Sequence, residues 1–531
     1  MLTPPSQHGI KLAVNLISAY FGDIVAKVCE CLLRKGTLPL AQIIHFTELS
    51  KQNAVNSLLV LIQHNCVQAF ATQSEGRFGG APRISTQYMA LFHNIIHHMR
   101  FPKFIAIVNE ELGKECEEIF VWLLQDGRLS VNDIVERQKE PSRNSTASDA
   151  LHECFRKLVN AQYVERCPAH EPFLAPPTEE ETAAKKRAAK FTKTVEDTIE
   201  ARALAEASPM DSVRFLLETD TWTDDPEQKS NDNSSNLASA GEKRKLDALE
   251  SETKLWATNQ KKEVLWRVNF EEFVRRLRHK SCIENVRARL DSGAATVLGA
   301  VLEATRRTET KVKVESSVPL SIDDIMQEVI KSEEGRTMNS DRVRASLAQL
   351  GCDMPSITGI DETYSIDLKK ILELAQIREV ESIVLKRYGK EASRIFKLLL
   401  QADRVVETEM ISKDTFVDKK DAAKILHRMW KDDYLHLQVM EKDKGKQKYL
   451  LWAVKKPVLW QHILDDMYHA ALNLRLRSAF EQEKDKEIAQ LPREKREGEL
   501  GKRFDRWMKI RLVLESSLMK LDDAILLFND F

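Results

Sequence analysis

Several kinds of site are missing from this 531-residue sequence. It has no GxxxxGKS or GxxxxGKT phosphate loop, no GxGxxG after a strand and no GxSxG nucleophile elbow. Its eight cysteines form no CxxC pair, so no structural zinc site is expected. The first nine residues lack the apolar core of a signal peptide, and no apolar run reaches the ~18 residues of a membrane span. We therefore expect a soluble intracellular protein without catalytic residues, metal or cofactor.

An excess of either charge is also missing. The chain has 80 basic and 81 acidic residues, a net charge of −1. A protein that binds long nucleic acid on its own is more often basic overall. Any nucleic-acid contact must therefore come from local patches or be shared with partner proteins.

What the sequence does contain is one pattern that recurs four times. Apolar residues at helical spacing predict three successive helices, and a pair of β-prone segments around a polar turn follows. The pattern is clearest in residues 381–454, where the third helix is expected at Asp418 to Lys431. Three helices and a β wing form a winged helix, so the expected fold class is mainly α with small β wings.

The pattern divides the chain into six predicted parts. Residues 176–255 begin with Pro176 and Pro177 and contain the basic run 185–187 and the polar run 228–236, a composition that favours a variable, largely disordered linker. From Trp256 onwards one helical stripe is expected to run through Trp266 and Phe270. The predicted domains are winged helices at 9–90, 91–175, 256–368 and 369–456, the linker at 176–255 and a C-terminal hairpin at 457–531.

The C-terminal hairpin is predicted from a seven-residue apolar repeat, which is typical of a coiled-coil seam. Trp460, Met467 and Leu474 start the repeat, and a break is expected between Leu491 and Gly498. We expect two antiparallel helices whose apolar face packs partly on its own partner helix and partly on another protein. The candidate partner-binding residues are Leu500, Trp507, Leu514, Leu521 and Phe528.

The fourth copy has the most basic third helix, and third helices are the usual recognition elements of winged helices. Phosphate affinity needs lysine and arginine, whereas acidic neighbours such as Asp421 and Asp432 dilute the field. A solvated charged face is an equally good interpretation, and any DNA contact should be to the backbone. The candidate nucleic-acid-binding residues are Lys419, Lys420, Lys424, Arg428, Lys431, Lys444 and Lys446.

Local stretches of the chain resemble one family. They are Phe21-Gly22-Asp23-Ile24-Val25, Leu61-Ile62-Gln63-His64-Asn65, Arg100-Phe101-Pro102-Lys103-Phe104, Glu165-Arg166-Cys167-Pro168, Arg387-Tyr388-Gly389 and Ala392-Ser393-Arg394-Ile395-Phe396. Together with the order of parts, they resemble the winged-helix subunit of eukaryotic RNA polymerase III, which belongs to a dissociable group of three subunits. The winged helices are also similar to those of transcription factor IIE. The resemblance covers most of the chain outside residues 175–254.

The resemblance implies a non-catalytic nuclear subunit of the polymerase that makes transfer RNA, 5S ribosomal RNA and other small RNAs. It implies docking on the clamp of the largest subunit, association with two companion subunits and contact with the promoter-bound initiation factor. It also implies a role in promoter recruitment, DNA opening and initiation, with weak, sequence-independent binding of DNA, including single strands. Two alternatives stay open: a stand-alone winged-helix DNA-binding regulator and a winged-helix scaffold of a proteasome-lid-like complex.

Overall fold

The computed structural model of the chain is mainly helical, with four small sheets among the residues it describes. Those residues fall into two compact units, which are treated separately below: Ala13–Phe270, and Pro5–Leu12 with Glu271–Phe531. None of the described helices combines the length and the apolar character that crossing a bilayer would take. The described residues are 5–74, 83–138, 145–174, 199–217, 264–306, 308–309, 313–352, 356–358, 361–442, 447–490, 492 and 498–531.

The first unit contains two helix-rich repeats, each with its own sheet. Its helices are α1 (Gln7–Phe21, of which residues 7–12 belong with the second unit), α2 (Asp23–Lys35), α3 (Leu40–Thr47), α4 (Lys51–Gln63), α5 (Phe92–His97), α6 (Phe101–Leu112), α7 (Lys114–Asp126), α8 (Val131–Gln138), α9 (Ser145–Asn160), α10 (Ile199–Ala207) and α11 (Asp211–Arg214). Its strands are β1 (Leu38–Pro39), β2 (Val67–Ser74), β3 (Arg83–Ala90), β4 (Arg128–Ser130), β5 (Val164–Arg166), β6 (Phe173–Leu174) and β7 (Leu265–Val268).

The second wing is completed by a strand from far along the chain. β7 pairs antiparallel with both β4 and β5, with Trp266 opposite Leu129 and Arg166. The prediction of a helical stripe through Trp266 is therefore wrong, because residues 265–268 are a strand and a helix begins only at Phe270. β7 has only four residues, too few for their period to distinguish a strand from a helix.

Part of the predicted linker is ordered. Residues 199–217 form α10 and α11, and the guanidinium of Arg166 donates two hydrogen bonds to the Leu216 carbonyl at 2.7 and 3.1 Å. The other residues of 176–255 lie outside the described part of the chain. The limits of the six predicted parts stay a proposal.

The second unit contains two further repeats and the C-terminal helices. Its helices are α12 (Phe270–Arg289, counted from Glu271), α13 (Ser292–Thr305), α14 (Ile322–Lys331), α15 (Ser340–Gln349), α16 (Leu368–Tyr388), α17 (Lys390–Ala402), α18 (Thr408–Thr415), α19 (Lys419–Lys431), α20 (Lys456–Lys484), α21 (Lys486–Ala489) and α22 (Gly498–Asn529). The strands form two sheets in the orders β8-β10-β9 and β11-β13-β12, made of β8 (Leu320–Ser321), β9 (Ser356–Thr358), β10 (Asp361–Tyr364), β11 (Val406–Glu407), β12 (His436–Lys442) and β13 (Gln447–Ala453).

All four repeats end their third helix in the same way. A backbone N–H donates to the carbonyl five residues earlier, in the pairs Cys66 to Leu61, Tyr163 to Leu158, Cys352 to Leu347 and Tyr434 to Met429, at 2.8 to 3.0 Å. The residue before each donor has a positive φ, and these residues are Asn65, Gln162, Gly351 and Asp433. This is the Schellman closure, and it turns the chain out of the helix towards the wing. The same closure therefore recurs at the end of the third helix in all four repeats.

α20 and α22 form an antiparallel hairpin, as predicted. Trp460 near the start of α20 meets Phe528 near the end of α22, and Asp485 beyond α20 accepts from Arg503 near the start of α22 at 3.1 Å. The end of α22 also contributes to a winged-helix core, because Leu527 and Phe528 pack with residues of α13 and α16. Removing the residues after Pro457 would therefore open the core of the third repeat.

Candidate nucleic-acid interface

α19 is an amphipathic helix whose buried side fixes which residues face outward. Ala422, Leu426 and Met429 are buried against the rest of the fourth repeat. The Asp418 side chain caps the helix by accepting the Lys420 backbone N–H at 3.2 Å. Since residues three and four apart share one side of a helix, the opposite side is set by this buried face.

Three of the predicted lysines share that outer side. Lys420, Lys424 and Lys431 are exposed and are spaced by four and seven residues, so they form one line, here called the lysine stripe. Among the described residues, no hydrogen bond or ion pair engages the ammonium groups of Lys420 and Lys431. Lys424 pairs with Asp421 at 2.9 Å, and this hydrogen bond raises the pKa of Lys424. Exposed pairs of this kind contribute little energy, so phosphate could displace Asp421 at small cost.

The other two predicted residues of the helix point elsewhere. The Lys419 ammonium makes an ion pair with Glu409 of α18, which raises the pKa of Lys419. The Arg428 guanidinium lies 5.3 Å from the ring centre of Tyr388, and the Tyr388 hydroxyl donates to Asp432 at 2.7 Å. Burial, followed by that hydrogen bond, raises the pKa of Tyr388. Lys419 and Arg428 therefore lie outside the line of the stripe, and each faces a group on a neighbouring helix.

Two predicted wing residues cannot be placed. Lys444 and Lys446 lie outside the described residues, between β12 and β13. The two strands pair in register from His436 opposite Ala453 to Lys442 opposite Gln447. The wing backbone is therefore described up to the turn that contains the two lysines.

The first repeat has an equivalent helix with a different outer face. α4 has 13 residues like α19, and each follows an eight-residue helix after a three-residue turn. Where α19 has Lys420, Lys424 and Lys431, the matching residues of α4 are Gln52, Asn56 and Gln63. Leu59 also faces outward and is 60% exposed. This face has no charge to attract phosphate.

The end of α4 is held by the second repeat. The Gln63 side-chain amide donates to the Asp126 and Arg128 carbonyls at 2.9 and 2.7 Å. The Arg128 side chain, which is buried, donates to Asn65 at 3.0 Å. This contact within the first unit engages the Gln63 side chain, which is therefore not free to bind DNA.

The third helices of the second and third repeats have fewer exposed basic side chains in line than α19 has. On α9, Arg156 pairs with Glu153 at 2.9 Å. On α15, Arg342 and Arg344 are exposed on opposite flanks, and the sequence analysis did not single them out. A count of basic residues on each third helix would have found them.

One exposed side chain of the fourth repeat was also missed. Phe416 lies in the turn between α18 and α19, is 91% exposed and has φ 54°. The matching residue of the first repeat, Glu48, has the same φ. Alignment of the two turns would have shown a phenylalanine in the fourth repeat where the first has a glutamate. The exposure of its ring depends on the tertiary structure and cannot be predicted from the sequence.

Most of the candidate partner-binding residues of the hairpin face inward. Trp507 is buried, Leu514 and Leu521 are half-buried, and the Phe528 ring lies 5.7 Å from the Trp460 ring. Only Leu500 is exposed, at 43%. Leu512 and Val513 of α22 are more exposed and fall outside the seven-residue repeat.

Comparisons with known proteins agree on one subunit. Family models described as "RNA polymerase III subunit RPC82 helix-turn-helix domain", "RNA polymerase III subunit RPC82" and "POLR3C, C-terminal winged-helix domain" match residues 11–72, 153–374 and 380–454. Similar curated proteins include DNA-directed RNA polymerase III subunit RPC3 of Bos taurus and of Homo sapiens, each 23% identical over 91% of this chain and 86% of that protein. The Dictyostelium discoideum protein of that name is 21% identical over 98% of this chain and 99% of its own length.

Proposed function

The chain belongs to the family of RNA polymerase III subunits described as RPC82 and POLR3C, and from this premise we propose that it is a subunit of DNA-directed RNA polymerase III. The observation that supports this most is that three family models of one subunit match successive stretches in one order. The four repeats with the same helix closure are consistent with that match.

Within the polymerase, the chain's role is to scaffold initiation without catalysing nucleotide addition. It binds the clamp of the largest subunit, two companion subunits and the promoter-bound initiation factor. Through these contacts it helps to recruit the enzyme to genes for transfer RNA, 5S ribosomal RNA and other small RNAs, and to open their DNA. It works in the nucleus. Near-neutral overall charge supports a scaffold, because such a chain has little long-range attraction for DNA.

DNA contact, in this proposal, is weak and sequence-independent and is made by the lysine stripe. Lys420 and Lys431 have no acidic partner among the described residues, and Lys424 has an exchangeable one. Lysine ammonium groups bind phosphate as point charges and do not read base edges. The stripe therefore holds the backbone of DNA that other parts of the polymerase position.

Partner contact by the hairpin is proposed at its exposed apolar residues. Leu500, Leu512 and Val513 of α22 are accessible, whereas Trp507, Leu514, Leu521 and Phe528 contribute mainly to packing inside the chain. Leu512 and Val513 are adjacent in α22, and contiguous exposed apolar side chains, unlike scattered ones, are typical of protein interfaces.

Affinity purification of the tagged full chain tests the proposal. The expected result is recovery of the two largest polymerase III subunits in stoichiometric amounts. A variant with Leu512→Glu and Val513→Glu should recover less polymerase, and Val458→Glu on α20 is the control because Val458 is equally exposed. Recovery of the tagged chain without the large subunits would contradict the proposed function. Equal recovery with both variants would contradict only the hairpin contact.

A further inference from the structure

β12 is an unusually long strand at the edge of its sheet. Each of the four sheets has two edge strands among the described residues, and seven of these eight strands are two or three residues long. β12 has seven residues, His436–Lys442, and pairs with β13 on one side only. Folded proteins usually keep edge strands short or protect them with charge, because the unpaired backbone groups attract other strands. β12 therefore presents a long edge that no described strand covers.

The counterpart of β12 in the first repeat is β2. Cys66 and Tyr434 donate the matching hydrogen bonds that close the third helices of the two repeats, which aligns the strands that follow them. Counting on from these donors places Ala71-Thr72 at the positions of Val439-Met440. The Ala71 side chain is buried, whereas those of Val439 and Met440 are 52% and 51% exposed. The two strands therefore differ in what lies beside them.

A strand from outside the first repeat covers β2 at those two positions. β6, which follows the second repeat in the chain, runs parallel to β2, with Phe173 beside Ala71 and Leu174 beside Thr72. The Ala71 backbone N–H donates to the Pro172 carbonyl at 2.9 Å. The chain itself thus shows that this edge of a winged helix can accept a parallel strand. The fourth repeat has the corresponding edge without such a cover among the described residues.

The cover of the first repeat has a second layer for which the fourth repeat has no equivalent site. There Leu174 of β6 and Ala203 of α10 pack with Phe70 in one apolar cluster. The residue that matches Phe70 is Gln438, which is polar and exposed. A segment that joins β12 is therefore a strand without a covering helix. Its contacts are backbone hydrogen bonds and the side chains of Val439 and Met440, which, as neighbours in a strand, point to opposite faces of the sheet.

The sequence of the wing indicates the charge of such a segment. Residues 441–448, which follow the two exposed apolar residues, include four lysines and two acidic residues. Parallel strands run in one direction, so the partner's residues after its apolar pair run alongside this positive stretch. Acidic residues in the partner complement the charge, whereas a second copy of β12 in the same direction would bring lysines beside lysines. The favoured occupant is therefore an acidic segment of a different protein.

We propose that β12 accepts an extended, acidic segment of another protein as an added parallel strand beside Val439 and Met440. In strand addition, main-chain hydrogen bonds supply the affinity and the side chains of alternate residues supply the specificity. The inference goes beyond the proposed function, because it assigns a protein-binding surface to the wing of the fourth repeat. It does not depend on the DNA contact, which uses the lysine stripe of α19.

Hydrogen exchange of the tagged full chain gives the first test, with the chain measured alone and in the complex with which it purifies. In the complex, the outward-facing amides of β12 should exchange roughly tenfold more slowly or less, because the added strand accepts their hydrogen bonds. The amides of β2 are the internal reference, since β6 covers that edge in both samples. Equal exchange of β12 in the two samples would overturn the inference, and so would a chain that purifies without any other protein.

Photocrosslinking in the same complex identifies the occupant. A photoreactive benzoylphenylalanine in place of Met440 should crosslink to one contiguous acidic segment of another protein, and mass spectrometry of the crosslinked peptides locates that segment. A crosslink to another stretch of the same chain or to a second copy would contradict the proposed occupant. Absence of a crosslink, or a crosslinked segment without acidic residues, would contradict it as well.

Two substitutions of Val439 test the edge itself through the yield of that crosslink. Val439→Pro removes the N–H that corresponds to the Ala71 donor, and Val439→Asp, which keeps the N–H at an exposed position, repels an acidic strand. Each should lower the yield roughly tenfold, as expected for the loss of one hydrogen bond or of one favourable contact. The matched control is Ile84→Asp, because Ile84 of β3 is also an exposed apolar strand residue, and the yield should not change. Full yield in both Val439 variants, or an equal fall in Ile84→Asp, would overturn the inference.

Discussion

The third helices of the first and fourth repeats, α4 and α19, have the same backbone structure, but the outer face of α19 is basic and that of α4 is uncharged. They agree in length, in the preceding turn, in the side-chain N-cap and in the closing hydrogen bond. They differ at the residues that packing does not determine, where Gln52 and Asn56 correspond to Lys420 and Lys424. The fold fixes the inner positions of each copy, and the outer positions are free to give each copy its own partner.

The two helices also differ in what surrounds their last turn. Gln63 is bonded to the second repeat, whereas Lys431 at the matching position is exposed and unpaired among the described residues. α4 is thus a fixed part of a larger unit, and α19 offers a free surface.

The largest effect is expected at the turn that receives the end of α4. Gly127 has φ +80°, and a Cβ there would lie 2.8 Å from both the Gln63 carbonyl carbon and the His64 Cα. Gly127→Ala should therefore lower the free energy of unfolding by about 3 kcal/mol or more, from backbone strain plus collision. Urea unfolding monitored by circular dichroism measures it.

Gly389→Ala in the fourth repeat is a control for backbone strain alone. Gly389 has φ +90° and nothing within 4 Å of a Cβ, so the substitution has only a backbone cost, of about 1–3 kcal/mol. Equal losses in the two variants would show that the contact between α4 and the second repeat is not tight.

The next effect concerns acid. Cys66 and Tyr434 occupy matching positions and each lies beside a histidine, but His98 is buried beside Cys66, whereas His462 near Tyr434 is partly exposed. Burial lowers the pKa of His98 to about 4, below its ordinary value near 6.5. The unfolded state then binds the proton more tightly. The stability that the buried neutral His98 contributes is fully present above about pH 6.5. It is lost as the pH falls towards 4, so the free energy of unfolding drops by about 3 kcal/mol.

Denaturant unfolding at pH 7, 5.5 and 4.5 measures this loss. His98→Gln should flatten the pH dependence, and His45→Gln should not, because His45 is exposed on α3. An unchanged slope in His98→Gln would assign the acid sensitivity to other groups.

A smaller effect separates the matched residues Gln63 and Lys431. Gln63→Ala removes two hydrogen bonds to backbone carbonyls and should lower stability by about 1–2 kcal/mol without changing DNA affinity. Lys431→Ala should change stability by less than about 0.5 kcal/mol and should weaken DNA binding. If both variants lost stability, or both lost DNA affinity, the proposed difference between the ends of α4 and α19 would be contradicted.

Local patterns predicted the helices of the fourth repeat closely. The third helix was expected from Asp418 to Lys431, and the structure has Lys419–Lys431 with Asp418 as its N-cap. The apolar period predicted the hairpin as well, and its two helices are those found. These features depend on residues a few positions apart, which a sequence shows directly.

Features that depend on distant residues were not predictable. Nothing near Trp266 shows that its strand pairs with β4 and β5, and nothing near Gln63 shows that its amide reaches Asp126. The hairpin's seven-residue period identifies the seam but not what covers it, and the structure packs the candidate partner-binding residue Phe528 within the chain. Of the five predicted basic residues of α19, the sequence could not tell the three of the stripe from Lys419 and Arg428, whose partners lie on other helices.

The salt dependence of oligonucleotide binding tests the central claim most directly. Affinity for a twenty-nucleotide oligo-dT would be measured between about 50 and 200 mM salt. The two proteins compared are the unaltered full chain and a triple variant that carries Lys420→Glu, Lys424→Glu and Lys431→Glu. Three phosphate contacts contribute roughly 2 to the slope of log affinity against log salt, so the variant's slope should fall by that amount. Glutamates at Gln52, Asn56 and Leu59 of α4 should leave the slope unchanged. An undiminished slope in the lysine variant, or an equal fall in both variants, would contradict the assignment of DNA to α19.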